Sequence, residues 1–401
     1  MLAAVRSATV FGVEGRVVTV EVHVSNGLPA FQIVGLPDEA CRESRDRVRA
    51  AVLSSGLRWP SCRVTVNLAP SGQRKGGSGL DLAIAIAFLA ASEQLHVDAL
   101  QGLAVVGELG LDGSLRPVPG VAPMLAALAI DGGPDLSYVV PAASFREAQG
   151  VVGSAARVGS NLTEVVLALA AIEPWPDPPA GELLDDDPPV PDLADVRGQA
   201  LARQALEVSA AGGHHLLLVG PPGSGKTMLA QRIPGLLPPL DPAASLAATM
   251  VHSAAGIRLP AGGLVRRAPF RAPHHSSSMV SLVGGGSTAL RPGEISLAHG
   301  GVLFLDELGE FAPAVLDGLR QPLEEGVIRL ARAKASATLP ASFLLVAATN
   351  PCPCGGGGPG ACECDDGARL RYLRRLSGPL LDRIDLRVGV ARPGVDDLLG
   401  E

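Results

Sequence analysis

The first half of the chain alternates apolar and polar positions in patterns that predict both strands and helices. Every second residue from Val18 to Val24 is a valine, and polar residues lie between them, as in a half-buried strand. Residues 38–53 carry apolar side chains at helical spacing, residues 63–68 form a short strand pattern, and residues 80–91 suit a buried helix. We therefore predict an α+β domain over residues 1–172.

The second half has a different pattern, in which apolar strands alternate with helices. A helical stretch over residues 199–210 leads to an apolar strand over 215–219, and two more apolar strands follow at 302–305 and 343–348. Strands that alternate with helices indicate a parallel sheet flanked by helices. The predicted fold class is α/β, with a second domain spanning residues 192–401.

Residues 173–191 separate the two predicted domains. They contain seven prolines and the acidic run of residues 185–187. A segment of this composition cannot bury apolar surface. We predict a stiff, solvated linker.

Composition and charge narrow the classes of function. Aromatic residues make up 3% of the chain, so the cores must be built from aliphatic side chains. A net charge of −7 gives no general attraction to nucleic acid, and contact with DNA would need a local basic patch. The first residues lack the pattern of a secretory signal, and no apolar run reaches membrane-spanning length. We expect a cytoplasmic protein whose six cysteines are reduced.

The strongest chemical signal is the segment 220–227, which fits the P-loop pattern at each fixed position. Its glycines let backbone N–H groups surround phosphates, and the following helix adds its dipole. The lysine reaches the β- and γ-phosphates, and the threonine hydroxyl binds Mg²⁺. A glycine-rich turn that matches by accident is the alternative, which the preceding strand and the following helix disfavour. The predicted ATP-binding residues are Gly220, Pro221, Pro222, Gly223, Ser224, Gly225, Lys226 and Thr227.

A buried strand ends in the acidic pair Asp306 and Glu307. Ligands bind at the carboxyl ends of strands in open α/β sheets. We expect Asp306 to hold Mg²⁺ through water and Glu307 to polarise the attacking water. A surface carboxylate pair is the alternative, which the P-loop about eighty residues earlier disfavours.

The next apolar strand is followed by Asn350. A polar side chain at that place lies beside the acidic pair, and we expect it to orient water or to sense the γ-phosphate. An asparagine that only shapes the turn before Pro351 is the alternative.

Several longer segments resemble one family. Residues 269–275, 291–298, 301–308, 350–355 and 377–385 closely resemble the magnesium-chelatase-like AAA+ ATPases. The cysteine-bearing segment and the N-terminal domain are similar to the ComM/YifB subfamily. This resemblance implies a hexameric, ATP-driven motor on DNA, with branch migration during natural transformation as the role of ComM.

The same resemblance implies that Arg383 is the arginine finger, which acts on the γ-phosphate of a neighbouring subunit. A guanidinium in that place neutralises charge that develops in the transition state. A finger that acts in trans requires a ring of subunits. A surface salt bridge to Asp382 or Asp385 is the alternative.

The N-terminal domain resembles the catalytic domain of the Lon protease in residues 75–78 and 107–118. An active Lon dyad needs a serine and a lysine. Ala122 stands where the lysine is required, and the serine position falls near Gly79, one residue from Ser78. An alanine cannot act as a base, so we expect this Lon-like domain to be inactive as a protease.

Two stretches are rich in basic residues and lack acids. The second, residues 327–340, resembles the pre-sensor hairpin that related helicases point into a central pore, and we predict contacts with single-stranded or branched DNA from Arg329, Arg332 and Lys334. Such contacts bind phosphate without reading the base sequence. An ordinary solvated basic face is the alternative. The first stretch, residues 256–293, contains the arginines Arg258, Arg266, Arg267, Arg271 and Arg291.

Cys352, Cys354, Cys362 and Cys364 place four thiols within thirteen residues. Four thiolates satisfy a tetrahedral Zn²⁺ ion, and such an ion could fix a glycine-rich loop that has no core of its own. Reduced thiols without a metal are the alternative.

Together these features predict a motor that hydrolyses ATP and acts on DNA, as a helicase or in branch migration. The alternatives are a chelatase-type chaperone of a metal-insertion partner and an ATP-dependent protease, which Ala122 disfavours. The helical lid of AAA+ proteins is absent from these 401 residues, and we therefore expect weak turnover.

Overall fold

The chain forms two compact units in the computed structural model. The first unit is Met1–Asp186 with His252–Leu264, and the second is Asp187–Val251 with Val265–Glu401. The division of the chain falls inside the proline-rich segment 173–191. The structure describes residues 1–133, 135–179, 189–286, 290–332, 335–356, 362–375, 378–392 and 394.

The first unit contains one mixed sheet and a separate two-stranded ribbon. The strands are β1 (Leu2–Phe11), β2 (Glu14–Ser25), β3 (Ala30–Val34), β4 (Arg63–Ala69), β5 (Leu103–Val105), β6 (Glu108–Leu109), β7 (Leu115–Arg116), β8 (Ser137–Pro141) and β9 (Ala156–Gly159). The order in the sheet is β3-β4-β2-β1-β5-β8-β9, and β6 pairs with β7. β2 runs antiparallel to β1 and β4, and the other neighbours in the sheet are parallel. The predicted valine strand is confirmed as β2.

Two helices of the first unit, over residues 39–54 and 81–91, confirm the predicted apolar patterns, and the others were not predicted. The helices of this unit are α1 (Glu39–Ser54), α2 (Asp81–Ala91), α3 (Val121–Gly132), α4 (Phe145–Val152) and α5 (Leu162–Leu169). α1 begins where the Asp38 carboxylate accepts a hydrogen bond from the Cys41 backbone N–H at 2.9 Å, which caps the helix. α2 is buried at every residue, as its almost unbroken apolar sequence predicts. Its one charged residue, Asp81, is paired with Arg47, and Arg47 Nε lies 2.6 Å from Asp81 Oδ2.

The second unit is built on a five-stranded sheet. The strands of this unit, in the sheet and outside it, are β10 (Leu216–Val219), β11 (Phe270–Arg271), β12 (Gly284–Gly285), β13 (Arg291–Pro292), β14 (Val302–Leu305), β15 (Val327–Arg332), β16 (Ala335–Pro340), β17 (Leu344–Thr349) and β18 (Leu386–Gly389). The sheet has the order β11-β14-β17-β10-β18, and all neighbours in it are parallel. β12 pairs with β13 and β15 with β16 as antiparallel ribbons. The parallel sheet predicted for this half is confirmed.

The helices of the second unit are mostly short. They are α6 (Ala200–Gly212), α7 (Lys226–Ala230), α8 (Ile233–Leu236), α9 (Pro242–Ala255), α10 (Met279–Val283), α11 (Glu294–Leu297), α12 (Pro313–Asp317), α13 (Arg320–Glu325), α14 (Asp366–Arg375) and α15 (Gly378–Leu381). The residues of α9 from His252 onward group with the first unit. Leu206 of α6 joins Leu216, Phe304 and Val346 of the sheet in one apolar core.

The order of the strands determines which residues meet at the carboxyl edge of this sheet. β17 lies between β10 and β14. The residues that follow these three strands are Gly220, Asn350 and Asp306. Parallel strands bring their carboxyl ends to one edge, so the three segments with predicted chemistry lie side by side.

Candidate nucleotide site

The P-loop joins β10 to α7, and glycine is required at particular places in it. Gly223 and Gly225 have φ values of 77° and 91°, in the left-handed region that favours glycine. At Gly220, a Cβ atom would overlap the carbonyl oxygen of Val390. The glycines therefore allow the tight path that the P-loop pattern predicts.

The ammonium group of Lys226 is held inside this loop. Lys226 is 8% exposed, and its Nζ donates to the carbonyl oxygens of Gly220 and Pro221 at 2.7 and 3.0 Å and to Asn350 Oδ1 at 3.2 Å. Burial lowers the pKa of Lys226, and the two carboxylates after β14 act in the opposite direction. All three acceptors are neutral, so an anion could replace them with a gain in electrostatic energy.

Thr227 and Asp306 come together across the sheet edge. The Thr227 hydroxyl donates to Asp306 Oδ2 at 2.6 Å, and Asp306 Oδ1 accepts the Glu307 backbone N–H at 2.9 Å. A hydroxyl and a carboxylate are the hard oxygen donors that Mg²⁺ prefers. Nearby in the loop, the buried Ser224 Oγ has no hydrogen-bond partner among the described residues. The donor set therefore fits a magnesium–phosphate ligand.

Glu307 adopts an unusual backbone conformation and has a histidine partner. Its φ is 51°, which is uncommon for a residue with a side chain. His275 Nδ1 lies 3.0 Å from Glu307 Oε2, and the His275 ring is perpendicular to the ring of Phe311 at 6.4 Å. Sequence reasoning gave His275 no role, because the two residues are far apart in the chain. The adjacent pair His274–His275, unusual in so apolar a chain, was the available signal.

Asn350 reaches the centre of the site. Because β17 lies beside β10, its last residues meet the P-loop, and Gly220 N–H donates to the Thr349 carbonyl at 3.1 Å. The side chain of Asn350 contacts the ammonium of Lys226, as described above. The structure thus brings Asn350 and the P-loop lysine together.

Two further side chains support the P-loop backbone. Gln199 Nε2 donates to the carbonyl oxygens of Ser224 at 3.2 Å and Ala391 at 2.6 Å. Arg392 donates through Nε and Nη2 to the Pro222 carbonyl at 3.2 and 3.0 Å. The sequence carries no local signal for either contact, since each depends on where a distant strand or helix ends.

Arg383, the predicted arginine finger, forms an ion pair with Glu324. The alternative interpretation named Asp382 or Asp385 as its partner, and the Asp385 carboxylate accepts the His215 backbone N–H at 2.8 Å. The action of Arg383 on a neighbouring subunit stays a prediction.

The predicted pre-sensor segment forms an antiparallel ribbon immediately before β17. β15 and β16 pair from Val327 opposite Pro340 to Arg332 opposite Ala335. Arg329 is exposed and pairs with Glu325. Arg332 ends β15, and Lys334 lies outside the described residues. This pairing confirms a hairpin at residues 327–340.

The other basic stretch is less uniform than its sequence indicates. Arg271 forms a bidentate pair with Glu294, with N–O distances of 2.6 and 2.9 Å. The stretch lacks acids, but this carboxylate lies just beyond its end and neutralises one of its charges. Arg258 groups with the first unit, whereas Arg266, Arg267 and Arg291 belong to the second.

In the first unit, internal hydrogen bonds surround Ala122, at the position where the predicted resemblance to the Lon protease would place a lysine. Ala122 is fully buried, and its backbone N–H donates to Glu147 Oε1 at 2.6 Å. The Ser253 hydroxyl donates to the same carboxylate, whose pKa is raised by burial. The Ser78 hydroxyl donates to Glu108. Near Ala122, a carboxylate with filled partners takes the place of the amine that a Lon dyad needs.

The four clustered cysteines also lie together. All four Sγ atoms of Cys352, Cys354, Cys362 and Cys364 are within 4.8 Å of one another. In the chain they come shortly after β17 and Asn350. The predicted ligand set for zinc is therefore brought to one place.

Comparison with known proteins agrees with this geometry. The family model "Magnesium chelatase, subunit ChlI" matches residues 192–398, and "Subunit ChlI of Mg-chelatase" matches residues 20–143. The chain belongs to the ComM/YifB-like group of the magnesium-chelatase-like family. This confirms the family that the motifs indicated, which is related to the AAA+ ATPases and uses ATP and Mg²⁺.

Relatives of the magnesium-chelatase-like family extend over nearly the whole chain. YifB of Escherichia coli is 46% identical over 401 residues, covering 98% of this chain and 76% of its own length. Competence protein ComM of Haemophilus influenzae is 45% identical over 395 residues, covering 97% and 76%. A protein of Mycobacterium tuberculosis is 49% identical over 392 residues, covering 96% and 76%.

In the part of the chain that the structure describes, no helix combines the length and the apolar character needed to cross a bilayer.

Proposed function

We propose that this chain is an ATP-driven motor that acts on DNA, as a helicase or in branch migration during recombination or natural transformation. One observation carries the proposal. Residues 341–343 connect the β15–β16 ribbon to β17. Asn350, which follows β17, contacts Lys226 in the P-loop. A change in the nucleotide site therefore has a short covalent path to the ribbon and its basic residues.

The contacts at the nucleotide site support a role for each residue. Lys226 would bind the β- and γ-phosphates, and Thr227 and Asp306 would hold Mg²⁺, which would shield phosphate charge. Glu307 accepts a proton from the attacking water, and Asn350 orients that water. Arg383 completes the site of a neighbouring subunit by neutralising charge in the transition state.

The proposal includes a ring of subunits, because an arginine finger that acts in trans requires one. The present partner of Arg383, Glu324, is more than half exposed. Exposed ion pairs contribute about 0–1 kcal/mol, so Arg383 can exchange this carboxylate for a phosphate of another subunit. We propose a hexamer, because the family resemblance implies one.

The basic ribbon would bind DNA through phosphates alone. Arg329 holds an exposed glutamate that a phosphate can displace at little cost. Contacts of this kind are independent of base sequence and are screened by salt. Single-stranded or branched DNA therefore suits the ribbon better than a specific duplex site.

Replacement of Arg329, Arg332 and Lys334 by alanine tests the proposal. We expect weaker binding to every DNA sequence and a salt dependence that flattens by about 2 units of slope on single strands, since each lost contact contributes about 0.7. DNA-stimulated ATPase should fall, and ATPase without DNA should persist. The matched control replaces Arg42, Arg45 and Arg49, three exposed arginines of α1. Unchanged DNA binding in the triple variant would exclude the ribbon as the DNA site.

The same assay separates the two alternatives. A chelatase-type chaperone would hydrolyse ATP without stimulation by DNA. An ATP-dependent protease would degrade unfolded protein such as casein, and Ser78→Ala would abolish that activity. We expect no proteolysis, because the Ala122 methyl group cannot accept a proton, and we propose that the Lon-like unit serves in assembly or docking.

A further inference from the structure

The loop after Asn350 brings four sulfur atoms almost into contact. Cys352 Sγ lies 3.4 Å from Cys354 Sγ and 3.5 Å from Cys362 Sγ, and Cys354 Sγ lies 3.6 Å from Cys362 Sγ. Cys364 Sγ completes the group within 4.8 Å of the others. A disulfide would need about 2.05 Å, so none of the three measured pairs is bonded.

These separations match the ligand shell of one metal ion. Zinc bound by four thiolates at about 2.3 Å in a tetrahedron requires sulfur–sulfur distances of about 3.8 Å. The three measured distances differ from that value by less than about half an ångström. An iron–sulfur cluster distributes its four cysteines over two or four iron atoms, which places some of the sulfurs further apart than one ion does. The spacing therefore favours a single ion.

The sequence around the sulfurs offers little apolar side-chain surface to bury. Glycines and prolines make up most of residues 351–360, and Cys352 is the one cysteine of the four that is buried. The Gly355 backbone N–H donates to the Cys352 carbonyl at 3.0 Å, which closes a tight turn around Pro353 and Cys354. A structural metal supplies the stability that such a loop cannot gain from apolar burial.

The same turn packs on the P-loop. Gly355 has a φ of 77°, and a Cβ atom on it would lie 2.7 Å from Pro222 Cδ. On its other side the cluster leads into α14, where the Tyr372 hydroxyl lies 3.0 Å from Thr349 Oγ1. The four cysteines thus join the end of β17, the P-loop and α14.

We propose that Cys352, Cys354, Cys362 and Cys364 bind one structural Zn²⁺ ion, which fixes this loop against Pro222 and keeps the P-loop in its nucleotide-binding shape. The ion takes no part in hydrolysis. Only the effect on ATP affinity rests on the proposed function, because metal content is measured without nucleotide or DNA.

Elemental analysis of protein purified without chelators tests the site. We expect about one zinc per chain, and its loss in Cys352→Ser and in Cys364→Ser. Cys62→Ser, a half-buried cysteine of the first unit, should keep the zinc. Absence of zinc from the wild type, or its retention in both cluster variants, would overturn the site. Iron with visible absorption would overturn the choice of metal.

A second measurement covers the possibility that the cysteine variants do not fold. Titration of the wild-type protein with an organomercurial should release the zinc as the four cluster thiols react, and a metallochromic dye detects the released ion. Replacement by Co²⁺ should give the absorption of a tetrahedral tetrathiolate. Zinc release without modification of the four thiols, or a six-coordinate cobalt spectrum, would refute the assignment.

Nucleotide affinity then tests the effect on the P-loop. Removal of zinc should weaken ATP binding several-fold, and added zinc should restore it. Gly355→Ala should keep the zinc yet weaken ATP binding, because its methyl group would press on Pro222. Zinc removal without any change in ATP affinity would refute the coupling and leave the metal site intact.

Discussion

The sheet edge of the second unit and the predicted Lon-like position of the first unit both contain hydrogen-bonded polar side chains, but they differ in what those side chains contact. At the sheet edge, Lys226 donates to neutral oxygens and Thr227 to Asp306, and each of these partners can be exchanged for a ligand. At the Lon-like position, Glu147 accepts from the Ala122 N–H and from Ser253, so its partners are fixed parts of the chain.

This difference separates a binding site from a structural polar cluster. Buried polar groups must be satisfied in both places. Where the partners are neutral and lie at the open end of a strand, a charged ligand interacts more strongly with the polar group than they do. Where a carboxylate is already satisfied and no amine accompanies it, catalysis has no base and a ligand has no place.

The largest expected effect comes from Lys226→Ala, which should abolish ATP binding, because the Lys226 ammonium lies inside the loop beside the Gly220 and Pro221 carbonyls, where it can reach the β- and γ-phosphates. Equilibrium binding of a fluorescent ATP analogue measures this. Lys75→Met is the matched control, because Lys75 is a lysine of the first unit that is 1% exposed and donates to a carbonyl. It should change stability and leave nucleotide affinity unchanged. Equal affinity in wild type and Lys226→Ala would remove the contrast between the two regions.

Glu307→Gln should keep ATP binding and lower turnover at least about 100-fold, because only the acceptance of a proton from water is lost. Steady-state ATPase and nucleotide binding, measured on the same preparation, separate the two effects. Glu310→Gln, in the following turn, should behave like wild type. Normal turnover in Glu307→Gln would mean that another residue activates the water.

His275→Ala should alter ATPase several-fold without changing ATP affinity. The His275 ring holds Glu307 Oε2 at 3.0 Å, so Glu307 has to leave this contact to reach a water at the γ-phosphate. We expect faster ATPase in the absence of DNA and less stimulation by DNA. Replacement of the neighbouring His274, which has no described contact with Glu307, is the control. An unchanged ratio of stimulated to basal rate would show that the contact has no regulatory effect.

The sequence predicted those features that depend on neighbours in the chain. The P-loop, the acidic pair after Leu305 and the apolar strands are encoded within about ten residues each, and the structure contains them. Contacts between residues from distant segments of the chain had no such local signal in the sequence. Glu147 and Ser253 are 106 residues apart, and Arg271 meets Glu294 only because β11 and α11 lie together. Such pairs are chosen by tertiary packing, which local patterns do not contain.

The smallest expected effect concerns the closed cluster of the first unit, through Glu147→Gln. Burial raises the pKa of Glu147 in the folded state above its ordinary value of 4.5. A raised pKa means that the folded protein favours the protonated carboxyl. Its contribution to stability is complete below the ordinary pKa and is lost as pH rises through the raised value. Glutamine stays neutral at every pH and escapes that loss.

We therefore expect the melting temperature of Glu147→Gln, relative to wild type, to rise as pH increases from about 4.5 through the raised pKa and then to stay level. Thermal unfolding at a series of pH values measures this difference. Glu164→Gln is a control, because Glu164 is a carboxylate of α5 in the same unit that accepts the Asn161 side chain and the Ser160 N–H. A difference between Glu147→Gln and wild type that does not vary with pH would mean that Glu147 is ionised throughout. The cluster at Ala122 would then carry a negative charge that a cationic group could use, and the contrast with the nucleotide site would weaken.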